Sequence, residues 1–376
     1  MDRRVTPSVE AKQRFVVLDF LRFLMAICVV AFHYEIFIRP GVPPESRVFG
    51  GFDAAVDFFF ILSGFVICHS YGDADWTAGK FTDYIRKRIA RIYPLHIVTL
   101  MAFVCAYGLV ASFGVSTGDG ERYNASHIPA QLFLVHAWGV SDRLSFNHVS
   151  WSISAELFLY LVFPLLALAV RRIGILPAVL AIICCCFVLQ LATHGLLVTH
   201  WLYRTYDFGI LRALPSFAAG IVLWHVWAQR SADFNMPWRW PIIALALCVL
   251  LMAAQPPREI IIGAFAVAIL LTALAETRGG VGPRFGLVMK SLGDASYGLY
   301  MLHTLVGLFI FKAAMPKIEW LGENQLAAAL LAFVLSLMAA LLSYRLFEVP
   351  ARRWINSLPL PRLPTRRRTM LPGLPS

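Results

Sequence analysis

The chain has 376 residues, 59% of them hydrophobic and only 15% charged, with a mean hydropathy of +0.68. So little polar surface cannot cover a soluble globule, which leaves a polytopic membrane protein. The formal net charge of +11 does not point to nucleic acid, because Lys and Arg lie mainly at the ends of apolar segments, as membrane topology requires.

Apolar stretches close to the roughly 20 residues that cross a hydrocarbon core recur along the chain. They predict an all-α helical bundle of about ten transmembrane helices, with both termini cytoplasmic. Arg3, Arg4, Lys12 and Arg14 precede the first apolar stretch and place the N-terminus inside. That stretch is long, mixed with charge and followed by no small-residue cleavage motif, so no cleaved leader is expected. It reads "LDFLRFLMAICVVAFHYEIF" (Leu18–Phe37) and carries Asp19, Arg22 and His33. A charge at the centre of a bilayer costs about 2.5–3.5 kcal/mol on insertion scales, so these groups call for partners or a function. At about 100° per residue Arg22 and His33 return to within about 20° of one face, roughly 16 Å apart along the axis, with Asp19 within about 40° of His33. The bland alternative is an Asp19–Arg22 pair at the inner interface and a His33 near the outer headgroups.

The second segment, "GFDAAVDFFFILSGFVICHSY", places Ser63 and Gly64 inside a crossing, where a small residue admits another backbone or a thin ligand. It returns to a connector holding Lys80, Arg86, Lys87, Arg88 and Arg91. In a helical connector Arg88 and Arg91 share a face. Paired guanidiniums suit phosphates, although the same cluster also reads as a plain positive-inside signal. After a third crossing at about 92–113, the apolar piece 128–139 is short for a span and is read as re-entrant or interfacial. "WSISAELFLYLVFP" opens the next crossing with Trp151 in an interfacial belt and Glu156 near the depth expected of His33. A buried carboxylate there wants a partner, and the imidazole is the obvious candidate.

Further crossings are placed at about 151–170, 174–193, 209–228, 240–255, 260–275, 292–312 and 326–347. Under this count Arg171 with Arg172, Arg230 with Arg239, Arg278 with Arg284 and Lys290, and Arg352 with Arg353 all face the cytoplasm. "SYGLYMLHTLV" contributes Tyr300 and His303, the latter alternatively a satisfied core histidine, while Arg345 and Glu348 read as a structural ion pair. The seven cysteines sit in apolar runs and read as small core hydrophobes; no metal site is expected. Residues 1–348 form the membrane domain, and the Pro-rich basic tail 349–376 is expected to be unstructured near anionic lipids. No internal repeat of the transporter kind is visible.

"LDFLRFLMAICVVAFH", "FFFILSGFVI", "RKRIARIYPLH", "WSISAELFLYLVFP", "SYGLYMLH" and "YRLFEVPARRW" follow one another in an order that resembles the acyltransferase-3 family of membrane acyltransferases. The resemblance implies a ten-span enzyme of the bacterial inner membrane, in the stand-alone form without a fused esterase-like domain. It implies transfer of an acyl group, often acetyl, from cytoplasmic acyl-CoA to an extracytoplasmic carbohydrate: O-antigen, exopolysaccharide, peptidoglycan or a glycosylated small molecule. It also implies catalytic work for His33 and donor binding by Arg22, Arg88 and Arg91.

The residues suit that chemistry. The arginines would hold CoA phosphates at the cytoplasmic mouth, and Gly64 would leave room for the pantetheine arm. A neutral His33, of ordinary pKa about 6.5, would act as general base, with Glu156 orienting it and Asp19 holding Arg22. An acyl-enzyme on His33 is the alternative route. The competing class is a transporter or flippase for a lipid-linked sugar, in which His33 and Glu156 would relay protons.

Overall fold

The computed structural model describes residues 14–112, 120–195, 200–231, 234–277 and 281–359. These residues form helices and no strand: α1 (Val16–Ile38), α2 (Ala55–Tyr71), α3 (Ala78–Ser112), α4 (Ile128–Leu132), α5 (Trp151–Ile173), α6 (Ile175–Gly195), α7 (Gly209–Ala228), α8 (Arg239–Ala254), α9 (Arg258–Glu276), α10 (Pro283–Gly307), α11 (Glu319–Glu323), α12 (Gln325–Ser343) and α13 (Val349–Ser357). Among the described residues nine helical stretches are long and apolar enough to cross a membrane. The tenth expected crossing, at 240–255, is the shorter α8 of 16 residues, about 24 Å long.

The helices alternate in direction, so the starts of α1, α3 and α10 gather with the ends of α2 and α12 at one end of the bundle. Arg14 bridges Asp19 (2.8 Å) and Asp294 (2.6 Å), tying α1 to α10 there. Glu276, at the end of α9, accepts from the backbone N–H of Val17 (2.9 Å), one of the donors a helix start leaves unsatisfied. α1 and α10 run parallel and in intimate contact: a Cβ on Gly293 would lie 2.7 Å from the Asp19 backbone.

α2 packs on α7 through two glycines. A Cβ on Gly64 would lie 2.1 Å from the Phe217 carbonyl oxygen, and one on Gly220 1.9 Å from that of Ile61. Small residues at such a crossing let backbones approach and dispersion forces act at short range. The space expected at Gly64 for a ligand is therefore filled by α7.

At the opposite end a buried ion network joins α2, α7 and α9. Asp57 binds Arg212 (2.9 Å) and Arg258 (3.2 Å), and Arg258 also holds Asp53 (2.6 Å). Asp57 is fully buried, and charges placed this deep are retained in membrane proteins when they neutralise one another.

The piece 128–139 does not cross. The five-residue α4 rises about 7.5 Å before the chain turns irregular, with Leu134 in the left-handed region at φ 54°. Irregular backbone persists at membrane depth only when protein satisfies it. The serines of "SWSIS" do so: Ser154 Oγ donates to Leu134 O (2.7 Å) and accepts from the Ala137 N–H (3.0 Å), and Ser150 Oγ donates to Gln131 Oε1 (3.0 Å).

Several expectations are corrected. The connector is not separate from the third crossing: α3 runs unbroken through Arg88, Arg91 and Pro94. The tail expected from 349 begins with the helix α13, pinned by Arg86 donating to Leu358 O (2.7 Å). Arg345 and Glu348 do not pair, because residues 344–348 form a π-helical turn whose wider winding takes i and i+3 out of register; Glu348 accepts from Ser343 instead. Cys28, Cys68 and Cys248 are buried, but Cys105 and Cys184 lie exposed on their helices. Arg3, Arg4, Lys12, Arg278 and residues 360–376 lie outside the described residues.

Candidate functional site

The end of the bundle that gathers Arg14 and Asp294 opens into a cavity of about 460 Å³. Six basic side chains line it, Arg14, Arg22, Lys87, Arg88, Arg91 and Arg352, against three acidic ones, Asp19, Glu156 and Asp294. The wall thus carries an excess of positive charge in low-dielectric surroundings, which suits a polyanion.

Each arginine is held differently. Arg22 donates through Nε to Ser296 Oγ (2.9 Å) and through Nη2 to Gly293 O (3.0 Å), with Asp19 at 3.2 Å, so Asp19 does hold Arg22. Arg88 sits among the rings of Tyr71, Tyr84 and Tyr160, each centroid within 5.5–5.9 Å of its guanidinium carbon. Cation–π contacts fix the plane of the guanidinium while leaving its charge uncompensated. Neither Arg88 nor Arg91 belongs to an ion pair among the described residues. Helical spacing brings both to the cavity wall.

Glu156 also faces this cavity, where its Oε1 accepts from Ser63 Oγ (3.0 Å). It does not meet His33. Ser152 lies four residues before Glu156 and bonds Tyr300 Oη (2.8 Å), so Glu156 sits about 6 Å inward of Tyr300, whereas His303 lies about 4.5 Å outward of it. The expected carboxylate–imidazole contact fails on this register.

His33 meets histidines instead. Its Nδ1 lies 2.9 Å from Val29 O and 3.2 Å from His303 Nε2, while His303 Nδ1 lies 3.2 Å from Leu299 O. Carbonyl oxygens only accept, so each Nδ1 carries the proton. The His33 Nδ1–H is then shared between Val29 O and the lone pair on His303 Nε2, and His33 Nε2 keeps an unshared lone pair. That is the tautomer of a general base backed by an acceptor. A third ring, His148, packs edge-on against His33 at 4.9 Å between centroids. Among the described residues no group of three or more His, Cys, Asp or Glu is arranged to hold a metal ion.

Sequence reasoning found His33 and His303 singly but missed His148, which stands three residues before the Trp151 motif without a pattern to mark it. The cavity ends on Phe59, Ser152 and Tyr300. Tyr300 packs with its centroid 5.8 Å from Phe59 and 6.1 Å from His303, so one ring separates the basic cavity from the histidine pair.

Comparison with known proteins agrees with this architecture. A family model described as "Acyltransferase domain" matches residues 15–345. The chain is 30% identical over 338 residues to "Acyltransferase MdmB" of Streptomyces mycarofaciens, covering 80% of this chain and 81% of that protein. It is 26% identical over 373 residues to "Nodulation protein 10" of Rhizobium leguminosarum bv. viciae, covering 92% and 95%. A shorter match of 110 residues, at 40% identity, covers 27% of this chain and 52% of "Protein 2 in picA locus" of Rhizobium radiobacter. No solved structure matches. With the family model covering residues 15–345, the chain belongs to the acyltransferase-3 family and is a multi-pass membrane acyltransferase.

Proposed function

We propose that the protein moves an acyl group, acetyl in the simplest case, from cytoplasmic acyl-CoA to a hydroxyl of an extracytoplasmic carbohydrate. The observation that carries this reading is the basic cavity ending one ring short of His33 and His303. The end bearing Arg14, Lys87 and Arg352 faces the cytoplasm by the positive-inside rule, with both termini on that side. The phosphates of CoA would then lie against Arg88, Arg91 and Arg22, and the pantetheine arm would point inward along Ser63 and Phe59. Glu156 would order the guanidiniums rather than the imidazole.

Displacement of the Tyr300 ring would bring the thioester to His33. His33 Nε2 takes the proton of the acceptor hydroxyl as its oxygen attacks the thioester carbonyl carbon; a C–O bond forms, the C–S bond breaks, and the proton passes to the CoA sulfur. His303 Nε2 stabilises the imidazolium through the Nδ1–H. Preorganised groups of this kind act on charge that develops during the reaction.

The test is release of CoA thiol from acetyl-CoA by purified protein, with mass spectrometry of surface glycans in cells with and without the gene. His33→Ala abolishes transfer while CoA binding persists. Acylation that survives in this variant would remove His33 from the chemistry.

A further inference from the structure

A second cavity of about 410 Å³ opens at the end of the bundle opposite the basic one, and its chemistry is the reverse. Its lining includes Phe32, Glu45, Asp53, Tyr203, Gln255 and Arg258. Arg258 is buried and already committed to Asp53 (2.6 Å) and Asp57 (3.2 Å), so its charge is spent, and Glu45 leaves the wall short of positive charge. A phosphate or other anion finds no counter-charge here. The lining instead mixes acceptors with amide donors around an aromatic face, which matches a neutral polyol whose hydroxyls both donate and accept.

Three further details fit a built site. Tyr203 is 55% exposed, and one face of its ring lies against the Arg258 guanidinium at 4.7 Å, which fixes the ring as a platform for the C–H face of a sugar. Gln255 adopts the left-handed conformation (φ 52°, ψ 46°), which glycine usually supplies, yet it keeps a long amide side chain directed at the cavity. A strained non-glycine residue that a glycine would relax is a mark of a functional position. Gly50 and Gly51 also border the Gln255 side chain, although what a Cβ on them would meet first is backbone, the carbonyl oxygens of Pro44 and Met252. The Gln255 Nε2 spends one N–H on Arg47 O (3.3 Å), leaving its other N–H and Oε1 to a ligand.

The cavity also adjoins the chemistry. The Phe32 ring in its wall packs edge-on against His33, 5.0 Å between centroids. Phe32 thus links this cavity to His33, as Tyr300 links the basic cavity to His303.

We propose that this second cavity is the acceptor subsite, binding a neutral pyranose with Tyr203 under its ring and Asp53 and Gln255 on its hydroxyls. This inference rests on the acyl-transfer reading above, yet it fails separately from it. The experiment uses the full chain in detergent micelles. The probes are methyl α-D-glucopyranoside, methyl β-D-galactopyranoside and methyl α-L-rhamnopyranoside, followed by saturation-transfer NMR and by thiol release from acetyl-CoA.

At least one glycoside gives a saturation-transfer signal that Tyr203→Ala reduces tenfold or more, while the signals of added CoA are unchanged. Gln255→Gly relaxes the backbone and so leaves thermal stability equal or higher, yet it weakens the same glycoside by a similar factor, which a merely structural role would not do. Signals that persist in both variants, or that are missing from the unaltered protein, overturn the assignment. Glycoside signals that depend on Tyr203 without any stimulated thiol release support the subsite and refute acyl transfer to it. Thiol release stimulated with an unchanged KM in both variants does the opposite.

Discussion

Replacement of His303 by Phe tests the arrangement most directly, because it keeps a ring in a fully buried position and deletes one acceptor. The lost contact is the 3.2 Å approach of His303 Nε2 to the Nδ1–H of His33. Hydrogen bonds to charged groups contribute about 1.5–3 kcal/mol, and a contact at this distance belongs in the lower half of that range. If the interaction develops fully only as His33 becomes an imidazolium, about 1.5–2 kcal/mol is lost from the transition state, or about 10–30-fold in kcat at roughly 1.4 kcal/mol per decade. The assay is initial-rate CoA thiol release at saturating acetyl-CoA, with thermal unfolding in detergent confirming that the variant folds. KM for acetyl-CoA stays the same, and His303→Gln, which can still present an acceptor, recovers part of the loss. An unchanged kcat in a folded His303→Phe protein would refute the reasoning, as would a Gln variant no better than Phe.

Arg88→Ala raises the KM for acetyl-CoA about tenfold or more, since one charge-assisted phosphate contact contributes about 1.5–3 kcal/mol; Arg88→Lys recovers little, because the tyrosine cage suits a planar guanidinium, and isothermal titration with CoA measures both. Gly64→Ala forces the α2–α7 crossing apart and costs about 1–3 kcal/mol, seen as a lower unfolding temperature with little change in donor KM. His136 lies outside the membrane-spanning stretches, and burial pushes it down to about 3. The folded state thus binds fewer protons than the unfolded chain, whose imidazole titrates near 6.5, so stability is full above that value and falls as the pH drops toward 3. His136 contributes up to about 1.4 kcal/mol per pH unit to this slope, and His136→Gln removes that share; equal acid sensitivity in the two proteins would assign the titration elsewhere.

Which parts of this site were legible in the sequence follows from physical range. The polar stripe of α1 could be read because helical periodicity is local, and Arg22 and His33 do lie on the face that meets α10. Arg88 and Arg91 were placed together for the same reason. The partner of His33 could not be read so, because it depends on how far α5 and α10 slide against α1. About two turns of slippage would separate Glu156 at the imidazole from Glu156 at Ser63. Gly64 carried two meanings, and only the position of Gly220 decides for backbone contact. Asp57 and Arg212, 155 residues apart, left no pattern in one chain, although each is a charge within an apolar segment that had to be paired somewhere.

The rings of Tyr300 and Phe32 have a consequence for the cell as well as for the reaction. The two hollows share no lining residue, and the histidines sit behind aromatic plugs. A continuous water column through the bundle would leak protons and discharge the gradient that the host membrane maintains. On the acyl-transfer reading proposed above, aromatic shutters that yield one at a time would let reactants meet across the bilayer and keep it electrically tight.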